Sequence, residues 1–129
     1  MITIEREYDG KRLQKVFNEV GWNSSLENAN YNNHYYFAIV KNGEIGGAVV
    51  IAEVRPGIAE CHIAKRDILN AAEVKSSTLK IMKIMKEDCY SALFCFIDNK
   101  NKAARHLVNR IGFESMGDIS GQIIYKKEL

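Results

Sequence analysis

The chain is 129 residues long, a length that fits one domain with one buried core. Its hydrophobic content of 47% and charged content of 26% are those of an ordinary soluble globular protein, without repeats, linkers or low-complexity segments. A formal net charge of only +2 excludes a strong electrostatic case for nucleic acid or a membrane surface as partner.

Ile2-Thr3-Ile4 reads as a short first strand. Asp9 is placed to cap a helix in which Leu13, Val16, Phe17 and Val20 keep the i, i+3, i+4, i+7 spacing of one buried face, and Gly21 ends it. Residues 22–33 include Asn28, Asn30, Asn32 and Asn33 and are expected to form a loop or a weak helix. A strand follows over 34–41. Asn42-Gly43 then supplies the positive φ angles that a tight hairpin turn needs, and 44–54 is the return strand. Gly46 and Gly47 inside that strand predict a bulge, with the lining of an acceptor channel as the alternative. Arg55-Pro56-Gly57 is a second turn, and 58–65 a further strand.

A long helix is expected over 71–88. Val74, Thr78, Ile81 and Met85 form its inner stripe, widened by Leu79, Met82 and Ile84, with Lys75, Lys80, Lys83 and Lys86 on its wet side. Leu93-Phe94-Cys95-Phe96-Ile97 is a short apolar run, the mark of a buried strand. Ala104, Leu107, Val108 and Ile111 make another helical face, and Gly112 stands where a left-handed residue stops the helix. Strands over 113–119 and 122–127 flank a Ser120-Gly121 turn. The order β, α, loop, β, β, β, α, β, α, β, β predicts a single α+β (mixed α/β) domain over 1–129. Its central sheet is mixed and mostly antiparallel, with helices on both faces.

The cysteines are Cys61, Cys89 and Cys95, an odd number without metal-ligand spacing, and they read as small hydrophobes in a reducing cytoplasm. No apolar run approaches the roughly 18 residues of a membrane span. The N-terminal residues carry no signal peptide. The expectation is a cytoplasmic protein, without nucleic acid, membrane or metal as partner. No Ser-His-Asp order stands out.

Asn101, Ala104, Leu107, Gly112 and Phe113 together resemble the closing motif of the GNAT acetyltransferase family. That motif is an Asn, an Ala three residues on, a Leu-Tyr pair, and Gly-Phe eleven residues after the Asn. The match is gapless, but Val108 stands where the family has Tyr. The element order is also similar to that family's across nearly the whole chain. The short length and eroded loop look like the small GNAT-like proteins of tailed phages and prophages. The resemblance implies the GNAT-type acyl-CoA N-acyltransferase fold. It also implies transfer of acetyl from acetyl-CoA to an amine of a small molecule or protein, and it is compatible with a homodimer. The alternative is a non-catalytic binding or structural protein of the same fold that has lost efficient acetyl-CoA use.

In the family a loop of pattern Gln/Arg-x-x-Gly-x-Gly/Ala, followed by a long helix, holds the pyrophosphate of coenzyme A on backbone N–H groups. The gapless counterpart puts Asn70 at the Gln/Arg position and Glu73 and Lys75 at the glycines. The resemblance thus implies Asn70, Ala71, Ala72, Glu73, Val74, Lys75 and Ser76 at the phosphates. It sets the Ile63, Ala64 and Lys65 backbone, with Asn101 and Ala104, beside the pantetheine arm. A second register, from Arg66, recovers Ala71 but sets Leu69 at the first glycine. Without the family, Asn70-x-x-Glu73 has the spacing of a capping box and Asn101 that of a helix cap; these alternatives stay open.

Acetyl transfer needs a neutral amine, a donor for the oxyanion and a thiolate that can leave. Alternation puts Glu60, His62 and Ala64 on one strand face, and Cys61, Ile63 and Lys65 on the other. Glu60 and His62 are the candidate base pair, against the alternatives of a surface Glu and a hydrogen-bonded His. Val108 has no proton for the thiolate; Tyr90, Tyr125 and His106 are the side chains that could substitute. Lys100, Lys102, Arg105 and Arg110 form a basic face, either solvated or fitted to an acidic partner protein. The donor would lie in a wedge between the strands at 58–65 and 93–97.

Overall fold

The computed structural model describes residues 1–7, 10–21 and 34–129. Its elements are β1 (Ile2–Glu7), α1 (Lys11–Glu19), β2 (His34–Lys41), β3 (Glu44–Arg55), β4 (Ile58–Lys65), α2 (Ala71–Glu87), β5 (Ala92–Asp98), α3 (Lys102–Ile111), β6 (Glu114–Ile119) and β7 (Gln122–Glu128). The strands make one seven-stranded sheet in the order β1-β2-β3-β4-β5-β7-β6. Every neighbouring pair is antiparallel except β4 with β5. The expected element order and sheet type are both present. Asp9 and residues 22–33 lie outside the described residues; α1 begins after Gly10 as N-cap.

Strand alternation sorts the core into two layers. Phe37, Ile39, Val49, Ile51 and Cys61 pack with Val74, Ile81 and Met85 of α2 and with Val108 and Ile111 of α3. Tyr36, Ala38, Ala48, Val50 and Ala64 pack with Leu13, Val16 and Phe17 of α1. The middles of β2 and β3 are therefore buried on both faces, which is why they read as continuous apolar runs. The hairpin between them turns on Asn42 and Gly43, at φ +52° and +83°. Three helical positions differ from expectation. Val20 is exposed because α1 has ended before it, and Leu79 and Ile84 lie on the outer side of α2, leaving Met82 as the residue that widens the stripe.

Gly46 is the bulge residue: Ile39 pairs with Gly47 and Val40 with Ile45, so Gly46 has no opposite number. The space it leaves belongs to the segment before α2. A Cβ on Gly46 would stand 2.7 Å from Leu69 Cγ, and one on Gly47 would stand 3.1 Å from Leu69 Cδ1. Leu69 is 1% exposed, so it has no room to retreat. Arg66 fixes the other end of this segment: its N–H donates to Gly46 O at 2.7 Å, Nη1 donates to Ile45 O, and the guanidinium pairs with Glu19 at 2.8 Å. We expect Gly46→Val to lower the unfolding free energy by about 1–3 kcal/mol, the usual penalty for overpacking a filled core, read as a shift in urea midpoint.

Candidate active site

β4 and β5 are hydrogen-bonded neighbours only at their beginnings. Ile58 pairs with Ala92, Ala59 with Leu93 and Glu60 with Phe94, and there the register stops. Both strands continue, but each follows its outer partner: β4 stays on β3 as far as Lys65, and β5 stays on β7 as far as Asp98. The gap between them is a cleft of about 570 Å³. Its side walls are 61–65 of β4 and 95–98 of β5. Phe17, Val20 and Gly21 at the end of α1 border it on one face of the sheet, and Ala103, Ala104, Leu107 and Val108 of α3 on the other. Ala104 and Leu107 keep the helical spacing of a core face yet are only half-buried, because what they face is this opening.

Glu60 is the last β4 residue paired with β5, so it stands at the apex where the strands part. Alternation puts His62 on the same face, and the two side chains meet, with His62 Nε2 3.1 Å from Glu60 Oε1. Both are partly buried, and His62 lines the cleft. The hydrogen bond from His62 holds the Glu60 carboxyl below the usual carboxylate range, against the opposing effect of burial. Glu60 is thus ionised at neutral pH and fixes the ring by accepting from Nε2. In the neutral imidazole the basic lone pair is then on Nδ1.

On the opposite sheet face the apex carries Cys61 and Cys95, both buried and both lining the cleft. A hydrogen bond to Cys61, then burial, push the Cys95 thiol well above its ordinary value, so it stays neutral. The sequence reading missed this pair. The available signal was the parallel register: once Glu60 sits opposite Phe94, Cys61 and Cys95 are the next neighbours.

Asn70 and Asn101 both cap the helices they precede. Asn70 makes the full capping box of α2: its Oδ1 accepts from Glu73 N at 2.8 Å, and Glu73 Oε1 accepts from Asn70 N at 3.0 Å. Lys41 Nζ joins Glu73 Oε2 at 3.0 Å and also donates to Ile68 O. Lys65 Nζ donates to Leu69 O. The Asn70 backbone hydrogen bond, then Lys41, hold the Glu73 carboxyl below its usual range. Asn101 caps α3, its Oδ1 accepting from Ala104 N at 3.1 Å, and it also lines the cleft.

None of the three side chains that could replace the missing Tyr reaches the cleft. Val108 is buried and lines it. Tyr90 donates to Glu53, Tyr125 is buried with its hydroxyl accepting from Arg105, and His106 is exposed; none of the three lines the cleft. Arg105 is drawn inward, to Asn99 O at 2.9 Å and Tyr125, which leaves Lys100, Lys102 and Arg110 as the exposed basic residues there. Among the described residues there is no cluster of metal-ligating side chains, and no helix is long and apolar enough to cross a membrane.

Coenzyme A, which this fold family implies, fits the cleft in part. A mostly apolar space with an unpaired strand edge suits the pantetheine arm. The start of α2 does not suit a diphosphate, because a carboxylate with two hydrogen-bonded partners already sits there.

The fold is that of GNAT N-acetyltransferases. The structure is similar to IAA acetyltransferase from Bacillus cereus, with a TM-score of 0.79 and 18% identity over 100% of both chains. It is similar to the ribosomal-protein-S18-alanine N-acetyltransferase from Escherichia coli, with a TM-score of 0.79 and 16% identity over 99% of this chain and 94% of that one. An acetyltransferase of the GNAT family from Streptococcus pneumoniae gives a TM-score of 0.71 and 17% identity over 100% of both chains. No protein-family model and no curated protein matches the chain.

Proposed function

We propose that the protein is an N-acetyltransferase that moves an acetyl group from a thioester to an amine of a small molecule or protein. The observation that carries this reading is the open wedge between β4 and β5 with the Glu60–His62 pair at its apex. The bound thioester supplies the acetyl group. The cleft walls hold its arm and keep water from the acyl carbon. Alternate backbone groups along 61–65, left without a β5 partner, offer N–H donors to the arm and to the developing oxyanion. His62, oriented by Glu60, takes the proton that the incoming ammonium must lose. As the C–N bond forms and the C–S bond breaks, the thiolate leaves without an acid. A thiol pKa of about 8.5 makes that feasible, and Val108 asks for nothing more.

Two observations favour a second reading, a binding protein of this fold without turnover: Val108 lines the cleft, and α2 caps itself. Release of free thiol from acetyl-pantetheine and acetyl-CoA, followed with a thiol reagent across an amine panel, separates the two. We expect amine-dependent release. Binding by calorimetry without release would favour the second reading. Absence of binding at millimolar concentrations of either thioester would overturn the transferase.

A further inference from the structure

Resting on that reading, we infer that the acyl donor is a thioester on a pantetheine arm that lacks the 3′-phospho-ADP half of coenzyme A. The cleft and the start of α2, which follows the cleft's β4 wall after five residues, make opposite demands. The cleft accepts an arm: it is largely apolar and bordered by an unpaired strand edge and by Asn101. The start of α2 is where a diphosphate next to that arm would seek N–H donors, and the protein has put its own anion there. Glu73 accepts from Asn70 N and is paired with Lys41, while the Glu73 N–H is taken by Asn70 Oδ1 and the Val74 N–H by Asn70 O. A diphosphate would have to displace a carboxylate from its hydrogen bonds or lie against it, like charge against like charge.

Of the nearby lysines, Lys41 and Lys65 are committed, and only Lys75 stands exposed on the outer side of α2. Lys41 holds Glu73 and Ile68 O, and Lys65 holds Leu69 O. Nor is the segment free to rearrange. Leu69 is buried over Gly46 and Gly47, and Arg66 is tied to Glu19 and Ile45 O. Exposed cations stand beside Asn101. Lys100 and Lys102 flank it in sequence and α3 contains no carboxylate; the one acid lining the cleft beside them is Asp98, whose Oδ1 accepts from Lys100 N. One terminal phosphate on the arm, or an acidic protein carrying it, meets favourable charge there.

The chemistry common to both sources is an acyl-4′-phosphopantetheine, either free or attached to a carrier protein. Calorimetry on the intact protein with coenzyme A, free 4′-phosphopantetheine and a carrier protein bearing that arm tests the inference. We expect coenzyme A to bind within about threefold of free phosphopantetheine, since the nucleotide adds no contacts. Coenzyme A binding more than about thirtyfold tighter would overturn the inference and leave the transferase standing; failure of all three ligands to bind would overturn both. Tighter, salt-sensitive binding of the carrier-borne arm, weakened by Lys100→Glu with Lys102→Glu, identifies the carrier as the source. Equal binding of the two forms identifies the free thioester. Glu73→Gly should raise coenzyme A affinity about tenfold and leave phosphopantetheine affinity unchanged, and Glu73→Gln, which keeps the helix start, should move it in the same direction. No change in either variant, with folding intact by circular dichroism, counts against the inference.

Discussion

Ala104→Phe should cost the protein its thioester affinity by about 100-fold or more while its melting temperature barely moves. Ala104 is on the wall of the cleft and half-buried, so a phenyl ring there enters the gap between β4 and β5 and not the core. Its backbone N–H still donates to Asn101, so the α3 cap survives. The remaining cost to the helix is an intrinsic propensity difference of about half a kcal/mol. Calorimetry and a thermal melt on the same sample read the two quantities. Undiminished affinity would mean that the arm does not lie in this cleft, and the assignment of the site would go with it.

His62→Ala should lower kcat by roughly 10²–10⁴-fold, the usual contribution of a positioned base, with the KM for the thioester little changed. Glu60→Gln should lower kcat by about tenfold, because it removes the group that orients the ring and leaves the ring itself in place. Both side chains are only partly buried, so neither change removes core packing. The Glu60 pair also has a signature in stability. Its folded carboxyl is depressed by the His62 hydrogen bond, so the pairing contributes stability above the ordinary carboxylate range, and that contribution is lost as pH falls through the depressed value. The melting difference between wild type and Glu60→Gln should therefore be present at neutral pH and vanish in strong acid. Full turnover in both variants would strike the pair from the mechanism.

Much of the architecture was legible in local signals. Asn42-Gly43 marked the hairpin, the ranges read for β2 and β4 match the strands, and Gly112, at φ +106°, ended α3 as its position implied. The alternation that put Glu60 and His62 on one face is the alternation that brings them to 3.1 Å. What remained hidden was non-local. Helical periodicity cannot tell a core face from a cleft wall, so Ala104 and Leu107 read as core. The partner of Gly46 was Leu69, on a different element, and no spacing rule connects them. The meeting of Cys61 with Cys95 needed the β4–β5 register, which strand sequences alone do not supply. The Asn70-x-x-Glu73 spacing admitted two uses of the same donors; the capping box is present, and the Lys41 partner of Glu73 lies too far away in sequence for any spacing rule to find it.

Because β4 and β5 share just three pairs, the sheet is two stiff plates, β1 to β4 and β5 with β7 and β6, joined along a short seam. Rocking about that seam widens or narrows the far end without breaking a ladder inside either plate. A ligand wedged between them would act as a spar, and its departure would restore the freedom.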